Sequence, residues 1–118
     1  NITRRDMAAM GFCPAGRFFE AAACGVPVLS DWWPGLDSFF EPGKEILIAH
    51  SSADALTTLD LDSESLRRVG VAARARVLAE HTSEHRARQL IALLRDLPQR
   101  LSVVTAADVG SEATAAGE

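Results

Sequence analysis

The chain has 118 residues, enough for one domain or part of one with a modest core. With 47% hydrophobic and 24% charged residues the composition is that of an ordinary globular chain, so a packed fold is expected. A formal charge of −4 argues against the clustered basic footprint of a nucleic-acid binder, and no apolar run approaches the roughly 20 residues that span a bilayer.

No signal peptide opens the chain. It lacks an initiator methionine and starts as though inside an element, so the reading is of a fragment of a longer protein. Asn1 to Thr3 suits the tail of a strand. Arg4 to Met10 has the composition of a helical turn or two, ended by Gly11. Phe12, Cys13 and Pro14 form a connection. Pro14 and Gly16 lie where a helix can start, and Arg17 to Cys24 reads as that helix, with Phe19, Ala22 and Ala23 on one face. Gly25 is its expected left-handed terminator. Cys24 beside Gly25 reads as a small buried residue. Two cysteines are too few for a disulfide framework and lack metal-ligand spacing, which makes a reducing cytoplasm the default and gives no reason to expect a metal or cofactor.

Val26 to Ser30 is a short apolar run without alternation, the pattern of a strand buried on both faces of a parallel sheet. Asp31 to Pro42 carries two Trp and paired Phe residues, and reads as an apolar loop or short irregular helix. Glu41-Pro42-Gly43 signals a turn. Glu45 to Ala49 is a second strand. Ser51 or Ser52 can cap a helix to about Leu59, with Asp54 in its first turn. Asp62 or Ser63 opens a longer one to about Glu80, with Leu66, Val69, Ala73 and Val77 on one face. Thr82 or Ser83 starts the last, whose apolar stripe is Ala87, Leu90, Ile91, Leu94 and Leu97. Pro98 is expected to stop it, leaving 98–118 as a disordered tail after a domain over 1–97. The order predicts an α/β domain with a parallel sheet lacking its first strands and ending in two or three helices.

Glu20 is the leading candidate for chemistry. A carboxylate near the start of a helix that packs on a central strand faces the ligand crevice of an open sheet, where it can accept two sugar hydroxyls. The other reading is a solvated glutamate helped by the helix dipole. The N–H groups of Ala15, Gly16 and Arg17 could face a phosphate, and the Arg17 guanidinium can fork onto two oxygens, or pair with Glu20 at i+3. Arg4 and Arg5 are weaker candidates of the same kind. Asp31 ends the buried strand on the ligand side, where it either meets the ligand or makes a turn. Trp32, Trp33, Phe39 and Phe40 form either a stacking wall or, by preference, a satellite core under the loop. His50, His81 and His85 are scattered and make no metal set. The phosphate-loop and Rossmann glycine fingerprints are absent.

Three segments carry a resemblance. Asn1 to Met7 fits Asn-x-Thr-Arg-x-Asp-Met, Arg17 to Gly25 fits Arg-x-Phe-Glu-Ala-Ala-Ala-Cys-Gly, and Gly35 to Phe40 fits Gly-Leu-Asp-x-Phe-Phe. Together they resemble the Rossmann-like, donor-binding C-terminal domain of GT-B glycosyltransferases of group 1, closest to the spore-maturation (CgeB-like) subgroup, over about Asn1 to Leu97. The resemblance implies transfer of a sugar from a nucleotide-diphosphate donor to an acceptor hydroxyl, the acceptor's identity staying open. It places the donor at Gly16, Arg17 and Glu20, with Glu20 on the ribose. It also implies a partner N-terminal domain that holds the acceptor, so the 118 residues alone are expected to be inactive. The group often carries a first glutamate eight positions before the second; Phe12 stands there, so the donor-sugar contact and retaining chemistry are not implied. A nucleotide-sugar epimerase of the same fold and a non-catalytic interaction module are the rivals.

Overall fold

A computed structural model describes the backbone of residues 1–111 and the side chains of residues 1–97. The chain divides into a unit Asn1–Thr82 and a second that begins at Ser83. In order, the elements are α1 (Arg5–Met10), α2 (Gly16–Ala23), β1 (Leu29–Ser30), β2 (Leu47–Ile48), α3 (Ser52–Leu59), α4 (Ser63–Glu80) and α5 (Ser83–Ser111). A 3₁₀ turn, Leu36–Ser38, lies in the aromatic loop between the strands.

Local chemistry sets the helix ends. Ser51 and Asp62 cap α3 and α4 by accepting the N–H groups of Asp54 and Ser65. At the end of α2, Gly25 adopts φ 73°, its N–H donates to Ala22 O and that of Val26 to Ala21 O. This is a Schellman closure, and it needs a residue that tolerates the left-handed region. The Arg74 guanidinium adds a bond to Ala23 O at 3.1 Å.

That closure also explains why the first strand is shorter than the five residues read from sequence. Val26 spends its N–H on the helix, and Pro27 has none to give a ladder. Pairing therefore begins at Val28 O, which accepts from Leu47, and ends with Ala49 donating to Ser30 O. The two strands run parallel, Leu29 opposite Leu47 and Ser30 opposite Ile48. The stretch Val26 to Ser30 is not buried throughout either: Val26 is exposed and only Ser30 is fully buried.

The core joins α2, the aromatic loop, the β2 approach and α4 through Phe18, Ala22, Trp33, Leu36, Phe40, Ile46, Ala73 and Val77. The buried face of α2 thus centres on Phe18 and Ala22, at i and i+4. Phe19 is half-buried under Phe39, Phe40 and His81, and Ala23 is exposed. Trp33 stacks on Phe18 at 6.4 Å, so the satellite-core reading of the loop holds for Trp33, Phe39 and Phe40; Trp32 stays exposed. On α4 the buried residues are Val69, Gly70, Ala73 and Val77. Gly70 lets α4 touch backbone: a methyl group there would lie 2.1 Å from Gly25 O.

Cys24, read as buried, is exposed. It follows the last turn of α2 on the side away from Phe18 and Ala22. In the second unit, α5 runs on past Pro98. A single proline removes one N–H and crowds one turn, a local cost of about 3 kcal/mol that strong helix formers on both sides can offset. Residues 112–118, within the tail expected to be disordered, lie outside the described residues. The stripe residues Leu90, Ile91, Leu94 and Leu97 are exposed. Among the described residues no helix is long and apolar enough to cross a membrane.

Candidate functional site

The site is built on the start of α2. Its N-cap is Ala15, with φ −69° and ψ 140°, and Ala15 has no side-chain acceptor to offer the first N–H groups of the helix. This contrasts with the side-chain caps of α3 and α4. Gly16, Arg17 and Glu20 are all exposed there. The Glu20 carboxylate turns back towards the helix start: a methyl group on Gly16 would lie 3.9 Å from its Oε1.

A cleft of about 260 Å³ opens beside this end, lined by Asn1, Ile2, Thr3, Arg4, Met7, Cys13, Ala15 and Arg17. It brings together three residues singled out from sequence, Arg4, Ala15 and Arg17. Among the described residues no carboxylate pairs with either guanidinium, and Arg17 does not take Glu20 as its i+3 partner. Two cations and uncapped helix N–H groups at one cleft are suited to an oxyanion of high charge density. Arg5 does not line this cleft.

Asp31 sits at the carboxyl end of β1, as the strand reading placed it, but its Oδ1 is engaged. It accepts the N–H of Thr3 at 2.9 Å, the Thr3 hydroxyl at 3.0 Å and the Ser30 hydroxyl at 3.2 Å. The Asp31 N–H in turn donates to Asn1 O at 3.4 Å, so the first residues lie alongside β1. This segment forms the wall between the Arg4–Arg17 cleft and a second cleft of about 480 Å³ at the carboxyl ends of the strands. Ser30, Asp31, Ala49, His50 and Ser51 are among the residues lining the second cleft.

Phe12 is exposed and holds the left-handed backbone at φ 50°. Its N–H donates to Pro34 O at 2.8 Å, and its ring lies where a side chain at Gly35 would be, 2.4 Å from a methyl there. The position is thus an aromatic clasp between the two loops.

A larger groove of about 570 Å³ runs by Lys44 and Arg68. Its cations are already engaged: Lys44 with Glu41 at 2.8 Å and Arg68 with the Ser65 hydroxyl at 2.9 Å. The Arg4–Arg17 cleft is therefore the better anion site. Sequence reasoning did not name Thr3, Met7 and Cys13 as cleft residues. For Thr3 and Met7 the signal lies in the Asn1–Met7 segment, whose pattern carries part of the resemblance; Cys13 lies outside that segment and has no such signal.

A family model described as glycosyl transferase-like matches residues 1–92. No curated protein and no solved structure matches the chain.

Proposed function

The chain belongs to the glycosyl transferase-like family, and from that premise we propose that it holds a nucleotide-diphosphate sugar donor in the cleft between the Asn1–Arg4 segment and the start of α2. The observation that carries this reading is the convergence of unpaired Arg4 and Arg17 on one cleft at an uncapped helix start. The two guanidiniums and the first N–H groups of α2 hold the diphosphate, and Glu20 accepts the ribose hydroxyls from the same helix end. As the glycosidic bond breaks, negative charge grows on the leaving diphosphate, and fixed donors aimed at that charge lower the barrier without reorganising. The acceptor side belongs to a second domain of a GT-B arrangement, in which this Rossmann-like unit supplies the donor half. We read it as nearest the spore-maturation (CgeB-like) subgroup, a reading supported by the resemblance of Asn1–Met7, Arg17–Gly25 and Gly35–Phe40.

Calorimetric titration of the protein at its full length with UDP-, GDP- and dTDP-sugars tests this. One of them is expected to bind, and Glu20→Ala to weaken it by about tenfold or more, the scale of a lost hydrogen bond to a charged group. No binding by any of them, or Glu20→Ala binding as well as wild type, would overturn the assignment.

A further inference from the structure

Asp31 has the position of a ligand-facing residue and the bonding of a brace. One oxygen, Oδ1, gathers both donors of Thr3 and the hydroxyl of Ser30, and those bonds reach 28 residues along the chain in the case of Thr3. Arg4 is the next residue after this clasp. It is also the N-cap of α1, its carbonyl accepting the N–H of Ala8 at 2.9 Å. The Arg4 backbone is thus fixed on one side by Asp31 and on the other by the first turn of α1. The start of the segment is also held on β1 at Asn1, whose amino group donates to Leu29 O and whose carbonyl accepts the Asp31 N–H. At Thr3, the residue next to Arg4, the clasp supplies the described bonds to the strand. Without it the long cationic side chain that follows loses part of the entropy advantage of a placed one.

We infer that Asp31 is a positioning residue for the donor cleft: through Thr3 it sets Arg4 opposite Arg17 so that the two guanidiniums meet one diphosphate. This rests on the donor reading above and adds a role to a residue outside the cleft lining. It requires an acceptor atom at position 31 and not a negative charge facing the ligand. Asparagine, which keeps an Oδ1 acceptor, should therefore replace aspartate, and alanine should not.

The test is a binding cycle on the full-length protein, with whichever of UDP, GDP and dTDP binds wild type most tightly as the probe and circular dichroism melting as the fold control. Asp31→Ala and Arg4→Ala are each expected to raise Kd about tenfold, and the double variant no further than either alone, because both remove one charge-assisted contact. Asp31→Asn is expected to stay within about threefold of wild type. Thr3→Val, which removes the hydroxyl bond alone, keeps the test open if Asp31→Ala does not fold; it should weaken binding about threefold in wild type and not at all beside Arg4→Ala. If wild type binds the probe and Asp31→Ala binds equally well, the positioning role alone is overturned. Independent losses multiplying in either double variant, or Asp31→Asn failing as alanine does, overturn it too. If wild type binds none of the three nucleotides, the donor reading itself is overturned and this inference with it.

Discussion

Helices α2 and α4 pack against each other, yet they begin in opposite ways. α4 closes its own start: the Asp62 carboxylate accepts the N–H and the hydroxyl of Ser65 at 2.8 and 2.7 Å. α2 leaves its start open behind Ala15, beside a cleft with two unpaired guanidiniums. A helix end that supplies its own cap contributes stability, whereas one that withholds it can serve a ligand. The shared face lets α2 do so. Phe18 and Ala22 lock it against Ala73 and Val77, and its far end is closed by Gly25, Val26 and Arg74.

Changes on the shared face should unfold the unit. Phe18→Ala is expected to destabilise by about 3–5 kcal/mol, since the ring is buried against Trp33 and its removal leaves a cavity in the core. Gly70→Ala should cost about 3 kcal/mol or more, because the new methyl meets the Gly25 carbonyl and not a movable side chain. Chemical denaturation of each variant reads both. A neutral Gly70→Ala would mean that α4 does not press on the α2 turn.

Changes at the open start should do the reverse. Arg17→Ala is expected to leave the melting temperature within about 2 °C of wild type, as for exposed positions generally, while weakening nucleotide-sugar binding about tenfold or more. A variant that melts early and binds normally would erase the distinction between the two regions.

The smallest effect belongs to the capped ends. Hydrogen bonds from His50 and Ser51 hold the Asp54 carboxyl below its ordinary value near 3.8, and those from Ser65 do the same for Asp62. A folded value below the unfolded one contributes stability that is present above about pH 3.8 and lost as the pH falls below it. Both groups are exposed, so the loss should be a shallow decline in melting temperature under acid. It should be smaller when both aspartates are replaced by asparagine, the remainder including Glu64, which the Arg67 guanidinium holds below its ordinary value.

Much of this contrast was legible in the sequence where the signal is local. Gly11, Gly25, Ser51 and Asp62 mark the ends of four helices because capping and left-handed closure act within a few residues. Strand length was not legible, since it depends on where Val26 spends its N–H and on the missing donor of Pro27. Phe18 rather than Phe19 faces the core because α4, far along the chain, chooses the face. The same holds for the site. Glu20 and Arg17 announced themselves by their place at a helix start, but the meeting of Arg4 with Arg17, and the bond of Asp31 to Thr3, are long-range events with no local pattern.

The two cysteines provide the most direct measurement of where a donor sits. Cys13 lines the cleft in the connection before α2 and Cys24 follows the helix's other end, so a reporter flanks α2 on each side. Alkylation rates of both thiols, followed by mass spectrometry with and without a saturating nucleotide-sugar, should fall at Cys13 and stay unchanged at Cys24. Equal rates at Cys13 with and without bound nucleotide, or protection of Cys24 instead, would contradict a donor site at the start of α2.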